Sequence, residues 1–511
     1  MSKAFYLTTT LPYVNATPHI GFALEIVQAD IIARYRPLCG DEVFFNTGTD
    51  EYGIKIYRKA QEEEKDTQAY VDEYAAKFQN LKEKLNLYPE LHFIRTTDPH
   101  HKAAAQEFWR RCFAAGDIYK KNYQVKYCVG CELEKTDSEL VNGRCPLHLN
   151  LEIELIDEEN YFFRWSKYRV SLIEMYARRP DFVTPDFRFN EIKAFVDRGL
   201  EDFSISRRKD KMPWGVPVPD DEEHVMYVWF DALVNYISTL GWPEDGETFK
   251  KFWGTEDSPN AIQMAGKDNL RQQSAMWQAM LMSAGLPPTK QIVIHGFITS
   301  GGQKMSKSLG NVIDPYAIVD EYGADALRIF LARHIHPFED SDFTMEKFKE
   351  SYNADLANGL GNLAARILTL AEVNLSGPIE HPKPDLFAAE YTNALDRYDY
   401  NAAADYIWEK IKKLDGRLTT EKPFAVVKEN PEEGKRVIHE CVAELYSIAR
   451  LLQPIMPATS DAIKAAVLAN KKPENLFPRK ESATDTASGA MPQFAKPKKK
   501  KKKRAGEFGF F

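Results

Sequence analysis

The hydrophobic rhythm of the chain changes three times. Over the first hundred or so residues, short apolar runs alternate with stretches of helical spacing. Phe5–Thr8 (FYLT), Val43–Asn46 and His92–Thr96 read as buried strands, and Ala23–Tyr35 as a helix. That alternation predicts a parallel α/β sheet. From about Tyr119 to Asp220, cysteines, prolines and short charged segments replace it, the texture of an insertion. The α/β pattern then resumes, with strands at Ala261–Met264 and Gln291–His295 and helices at Leu270–Ala284 and Tyr316–Ala332. Beyond Glu346 the pattern is helical, with amphipathic runs over Leu356–Leu375, Asn393–Leu414 and Lys435–Ile455. After Lys480, SATDTASGA leads into a lysine run with the composition of a disordered tail. The chain therefore divides into residues 1–115, 116–220, 221–345, 346–479 and 480–511, with no internal repeat.

Composition narrows the class. The chain has 511 residues, 44% hydrophobic and 28% charged, which suits a globular protein of several domains, each with its own core. No stretch approaches the roughly 18 apolar residues of a membrane helix. The opening MSKAFYLTTT lacks the layout of a secretory signal, so a cytoplasmic protein with no membrane partner is expected. The net charge of −8 hides an asymmetry, because Lys496–Arg504 holds eight cations in nine residues.

Three of the six cysteines cluster, unlike a disulfide framework spread along a chain. Cys128-Val-Gly-Cys131 and Cys145-Pro-Leu-His148 form two short pairs offering three sulfurs and one imidazole, the donor set of a tetrahedral Zn²⁺ site. Four protein ligands leave no open position, so this metal would stabilise the insertion. The plain alternative is three buried cysteines and a surface histidine.

Two further stretches suit phosphate. Gly301-Gly302-Gln303-Lys304-Met305-Ser306-Lys307-Ser308-Leu309-Gly310-Asn311 is a glycine-bordered loop whose two lysines can converge on one anion. Thr17-Pro18-His19-Ile20-Gly21-Phe22 sits between the first strand and the first helix, where backbone meets ligands.

Together, Pro18–Gly21 and Lys304–Ser308 resemble the paired HIGH and KMSKS signatures of class I aminoacyl-tRNA synthetases. Leu11-Pro12-Tyr13-Val14-Asn15, Gly48-Thr49-Asp50-Glu51-Tyr52-Gly53, Tyr227-Val228-Trp229-Phe230-Asp231-Ala232, Gly266-Lys267-Asp268 and His295-Gly296-Phe297 are similar to segments of the methionyl-tRNA synthetase family. The likeness is dense from about Lys3 to Phe343 and thinner beyond. It implies a doubly wound Rossmann-type parallel sheet with a zinc-binding insertion, followed by an all-α helical bundle. It also implies ATP and Mg²⁺ as reactants, one structural Zn²⁺, and L-methionine and tRNA(Met) as partners. The implied reaction is adenylate formation followed by transfer to the tRNA 3′ end, for initiation and elongation.

By the same resemblance, Leu11, Tyr13, Trp229, Ala232, Tyr236, Ile294 and His295 would line the methionine pocket, and Asp50 would take the substrate ammonium. Aromatic walls suit a flexible thioether, and a Tyr hydroxyl and a His nitrogen near the sulfur would supply a polar handle. Catalysis would fall to His19, Lys304 and Lys307. ATP would be held by these with Gly21, Gly266, Asp268 and Ser306. In the helical part, Asn362 and Arg366 lie one helical turn apart and, with Pro423 and Phe424, would read the anticodon. The lysine run reads either as non-specific affinity for tRNA or as a solvated or targeting segment. With no folded module after Arg479, a monomer is expected.

The chain departs from the family pattern in two places. Phe22 stands where a second histidine is usual, and Arg271-Gln272-Gln273-Ser274 before Trp277-Gln278 stands where a Phe-His pair and a Trp-Pro are usual. These departures keep two rivals open: a catalytically weakened tRNA-binding paralogue acting as regulator or assembly factor, and a class I synthetase for another apolar amino acid.

Overall fold

The computed structural model describes residues 3–131, 133–135, 137–305, 311–377 and 387–480. Its centre is a six-stranded sheet. β1 (Ala4–Thr8), β2 (Glu42–Thr49), β3 (His92–Arg95), β4 (Val183–Thr184), β5 (Ala261–Gly266) and β6 (Gln291–His295) lie in the order β3-β2-β1-β5-β6-β4, all parallel. The order reverses between β1 and β5. Sheets of this kind bind ligands in the crevice beyond the C-terminal strand ends at such a reversal.

Burial on both faces explains the continuous apolar strands. Phe5 and Leu7 of β1 enter a core shared with α1 (Ile20–Leu38), while Tyr6 enters the opposite core with Phe108, Trp253 and Trp277. The first core continues into the helical part, where α2 (Asn362–Asn374), α3 (Tyr400–Glu421) and α4 (Pro431–Leu452) contribute Leu363, Ile407 and Leu445. One buried guanidinium ties the two parts together. Arg328 pairs with Asp30 of α1 at 2.6 Å and donates to the carbonyls of Ile455 (2.7 Å) and Pro454 (2.9 Å).

The stretch read as an insertion builds a separate antiparallel sheet in which Ile118–Cys128 pairs with Glu154–Phe163. The same stretch also returns to the main sheet, supplying β4 as an edge strand against β6. Two residues ahead of Pro185 are too short to show a period.

Helices read as continuous are interrupted at defined residues. Residues 316–332 break at Gly323 (φ 86°) into Pro315–Tyr322 and Ala324–Arg333. Residues 393–414 break at Tyr398 (φ 60°), before α3 begins. The helix over 270–284 contains a π segment, Gln272–Met276, before Trp277–Ser283. No helix among the described residues is long and apolar enough to cross a membrane. The lysine run lies outside the described residues.

Candidate active site

A cavity of about 460 Å³ opens where the C-terminal ends of β1, β2 and β5 converge. Leu11, Tyr13, His19, Asp50, Trp229, Ala232, Tyr236 and Asp268 all line it, although they come from four separate stretches of chain.

His19 is the N-cap of α1. Its backbone is extended, and its Nδ1 accepts from the Gly21 N–H at 3.0 Å. That bond fixes the tautomer, leaving the proton on Nε2. Desolvation by the surrounding protein lowers the imidazole pKa, although the residue keeps solvent exposure. A Cβ at Gly21 would lie 2.8 Å from His19 Cε1, so a side chain there would displace the capping ring.

Met305 of the glycine-bordered loop and Ile313 just beyond it reach this turn. The Ile20 N–H donates to the Ile313 carbonyl at 3.0 Å. The Met305 methyl lies 4.0 Å from where a Gly21 Cβ would stand. At the loop's base, Gly301 and Gly302 take positive φ (61° and 73°), and the Gly302 N–H donates to Asp342 Oδ1 at 2.8 Å. The backbone of Lys304 pairs with Thr299, whereas Ser306 and Lys307 lie outside the described residues. Phe22 also lines the cavity, packed edge-on against Phe78 with ring centroids 5.3 Å apart. The unusual aromatic thus completes an apolar wall.

Asp50 follows β2 and is buried. Its N–H donates to the Pro12 carbonyl (3.0 Å) and its own carbonyl accepts from the Val14 N–H (3.3 Å), which stitches the Leu11–Asn15 loop to the sheet. Tyr13 and Trp229 meet edge to face at 6.5 Å. Gly266 ends β5 beside Asp268, whose Oδ1 lies 2.8 Å from where a Gly266 Cβ would stand.

Ile294 and His295 fall elsewhere. Strand alternation puts Ile294 in the core beneath the sheet and turns His295 towards α1, so neither lines the cavity. His295 Nε2 bonds Glu25 Oε2 at 2.9 Å, its Nδ1 meets the Gly296 carbonyl at 2.8 Å, and Glu25 Oε1 accepts from Thr10. Asn269, Gln272 and Gln273 stand on the cavity wall instead. Burial alone would lower the His295 pKa, but the Glu25 carboxylate outweighs it and raises it. The pair's stabilisation is therefore complete below about pH 6.5 and fades as pH rises through the raised value. Glu25→Gln is expected to cost about 3–5 kcal/mol at pH 6 and progressively less towards alkaline pH, read by urea unfolding across pH.

Cys128, Cys131, Cys145 and His148 bring their donor atoms within 4.8 Å of one another. The Cys131 Sγ–Cys145 Sγ, Cys128 Sγ–His148 Nδ1 and Cys131 Sγ–His148 Nδ1 separations are 3.5, 3.8 and 3.2 Å. The edges of a tetrahedron with Zn–S bonds of ~2.3 Å are roughly 3.8 Å, so the donor set fits that metal. The knuckle also walls the cavity through Gly130, Cys131, Leu147 and His148, and Lys55 Nζ donates to the Gly130 carbonyl at 2.6 Å.

In the helical part, Asn362, Arg366 and Phe424 line a second depression of about 420 Å³. Lys422 (φ 47°) ends α3, and Pro423 starts the next helix, leaving Phe424 49% exposed. Pro423 is itself buried and sets the position of Phe424. Arg366 Nη1 donates to Asp415 Oδ1 at 2.6 Å.

Comparisons with known proteins agree with this geometry. The family model for tRNA synthetases class I (M) matches residues 5–154 and 149–368. A methionine–tRNA ligase of Thermosynechococcus vestitus is 44% identical over 482 residues, covering 91% of this chain and 90% of its own length. A methionine–tRNA ligase of Thermotoga maritima is 41% identical, covering 92% of this chain and 76% of its own. A solved structure of Mycobacterium tuberculosis methionyl-tRNA synthetase in complex with methionyl-adenylate superposes with a TM-score of 0.85 at 36% identity, covering 93% of this chain and 100% of that one. With the His19 turn on the cavity wall and bonded to Ile313 just beyond the glycine-bordered loop, and likeness of this depth over nine-tenths of its length, the chain belongs to the methionine family of class I tRNA synthetases.

Proposed function

We infer that the chain is a methionine–tRNA ligase, which activates L-methionine with ATP to methionyl-adenylate and pyrophosphate and then transfers the methionyl group to the 3′ end of tRNA(Met). The observation that carries this reading is the cavity that brings His19 together with Asp50, Trp229 and Tyr236, with the Ile20 N–H bonded to Ile313 just beyond the glycine-bordered loop.

In the first step a methionine carboxylate oxygen attacks the α-phosphorus of ATP, and the bond to pyrophosphate breaks. No side chain serves as a covalent nucleophile; the protein positions the reactants and stabilises charge. Asp50 takes the ammonium, and Leu11, Tyr13, Trp229, Ala232 and Tyr236 enclose the side chain. Asp268 beside Gly266 accepts from the ribose. His19 donates its Nε2–H to phosphate oxygens as charge moves to the leaving group, while Lys304, Ser306 and Lys307 close over the triphosphate, which arrives with Mg²⁺.

Cys128, Cys131, Cys145 and His148 hold one Zn²⁺, which supplies folding energy with no open coordination position. The catalytic domain comprises residues 1–115 and 221–345 around the insertion 116–220, which lends the sheet its edge strand β4, and residues 346–479 bind the anticodon through Asn362, Arg366 and Phe424. The enzyme acts as a cytoplasmic monomer. The coverage of the named ligases favours this enzyme over a tRNA-binding paralogue.

The test is amino-acid-dependent ATP–pyrophosphate exchange across the apolar amino acids and cysteine. Exchange led by methionine is expected. Absence of exchange from zinc-loaded protein, or leadership by another amino acid, overturns the reading. Arg366→Ala should leave exchange intact and lower kcat/KM for charging tRNA(Met) by about 1–3 kcal/mol, as loss of one base-reading contact does. A fall in both reactions together would place Arg366 in the fold rather than in recognition.

A further inference from the structure

Beyond the C-terminal end of β6 the chain builds a second, three-stranded sheet. β7 (Ile298–Ser300) turns directly into β8 (Gln303–Lys304), and β9 (Ser341–Asp342) lies parallel to β7 on its other side. The turn is Gly301-Gly302, with positive φ at both residues, as a two-residue hairpin of this hand demands. The backbone of Lys304 is paired with Thr299, so the position of the hairpin fixes where the lysine-bearing stretch begins. Among the described residues, nothing lies within 4 Å of where a Cβ at Gly301 or Gly302 would stand. The turn therefore has no side-chain packing of its own and depends on its hydrogen bonds.

Those bonds come from the segment around β9. Asp342 Oδ1 accepts from the Gly302 N–H at 2.8 Å and from Thr299 Oγ1 at 3.0 Å, one contact on the turn and one on β7. Bonds to a carboxylate are roughly twice as strong as neutral ones. Two residues earlier, Asp340 pairs with Lys267 Nζ at 2.6 Å and accepts from the Phe297 N–H at 2.9 Å. Lys267 sits between Gly266 and Asp268, and Phe297 lines the cavity. One carboxylate thus grips the turn assigned to the ribose, and the other grips the hairpin that leads to the lysines. The segment that carries both is itself fixed. Its Ser341 N–H donates to the Phe297 carbonyl (3.0 Å) and its Phe343 N–H to the Thr299 carbonyl (2.9 Å). The Phe343 ring is buried 5.0 Å from that of Phe330, centroid to centroid. Gly296 lets the segment pass, since a Cβ there would lie 2.3 Å from the Glu339 carbonyl oxygen.

We propose that Asp342 is a positioning residue for the activation step, clamping the Gly301-Gly302 hairpin so that the lysines after it meet the triphosphate of a nucleotide whose ribose lies at the Gly266–Asp268 turn. This rests on the reading of the chain as an ATP-dependent methionine–tRNA ligase. Asp342 touches neither substrate and acts through the hairpin alone. A misplacement of about 1 Å at a reacting group costs as much as roughly a hundredfold in rate, so a clamp on the hairpin bears directly on catalysis. Its role ends when pyrophosphate leaves, because the transfer to tRNA involves no triphosphate.

The experiment uses full-length zinc-loaded protein and three measurements: kcat/KM for ATP in methionine-dependent pyrophosphate exchange, methionine affinity without ATP by equilibrium dialysis, and single-turnover transfer from preformed methionyl-adenylate to tRNA(Met). Asp342→Ala should lower kcat/KM for ATP by about 10- to 100-fold. Methionine affinity and the transfer rate should each stay within about twofold of wild type, since neither involves the triphosphate. Asp342→Asn keeps an oxygen that can accept from the Gly302 N–H and should restore most of the loss. Thr299→Val removes one of the two donors, leaves the backbone bonds of β9 in place, and should lower kcat/KM for ATP by about threefold or more, the scale of one lost hydrogen bond. An unchanged kcat/KM for ATP in Asp342→Ala overturns the proposal. A loss shared equally by the ATP step, methionine affinity and transfer places Asp342 in the fold and also overturns it. If Asp342→Ala does not fold, an unchanged Thr299→Val protein overturns it on its own. Wild-type protein that fails to exchange with methionine sinks the functional reading instead, so the two failures are distinguishable.

Discussion

Replacing His19 by alanine is expected to slow methionyl-adenylate formation by about a hundred- to a thousand-fold, with the KM for methionine nearly unchanged. The size follows from removing one preorganised donor at developing oxyanion charge, about 2.7–4 kcal/mol. The geometry says which donor. Nδ1 is committed to the Gly21 N–H, so Nε2–H is the ring's remaining donor, and the lowered pKa favours the neutral ring. The same substitution removes a helix cap, at a cost of about 1 kcal/mol of stability. His19→Asn separates the two effects, because a shorter amide caps α1 without reaching the phosphates. It should recover the thermal midpoint and leave the rate low. Pyrophosphate exchange and thermal unfolding measured on both variants give the answer, and a His19→Ala protein with full rate removes His19 from the chemistry.

The second large effect concerns the cysteine cluster. Cys145→Ala should abolish stoichiometric zinc binding and lower methionine-dependent exchange by more than about tenfold, although no cluster residue is assigned to the reaction. Structural zinc contributes about 10–16 kcal/mol of apparent binding free energy to small knuckles, and most of that is lost with one ligand. The knuckle is not remote from the cavity. Gly130, Cys131, Leu147 and His148 wall it, and the Lys55 ammonium fastens Gly130 to the helix Ile54–Glu62 that follows β2. A collapsed knuckle opens the pocket to water and releases Lys55 from that bond. Metal content, limited proteolysis over residues 128–150 and exchange kinetics test this together. A metal-free variant with undiminished exchange shows that the wall is dispensable.

Much of the architecture was legible because each signal was local. Strands such as β1 are buried on both faces and so read as unbroken apolar runs. The Cys128–Cys131 and Cys145–His148 pairs each form a tight turn, so spacing in sequence becomes spacing in space. Breaks at Gly323 and Tyr398 escaped notice, because a single positive-φ residue leaves the apolar period around it intact. The direction in which His295 faces was illegible for a related reason. The strand end was located, but the face its side chain takes depends on which helix lies opposite, and Glu25 of α1 lies there. A glutamine inside the apolar strand AIQMAG was the available sign of the buried bond from Gln263 Nε2 to Gln273 Oε1 (3.1 Å), since a central strand position asks for an apolar side chain unless a buried partner waits for it.

By itself the sequence determined the sheet-forming runs, the metal donor set, the two phosphate-handling stretches and the residues available for an aromatic pocket. These follow from periodicity and residue chemistry over a few consecutive positions. The tertiary structure alone decided that Ile20 bonds Ile313, that Phe22 rests on Phe78, and that Asp342 holds the Gly301-Gly302 turn. Those contacts join segments far apart along the chain. Their geometry is set by how the helices and loops close over the sheet, which no local spacing encodes.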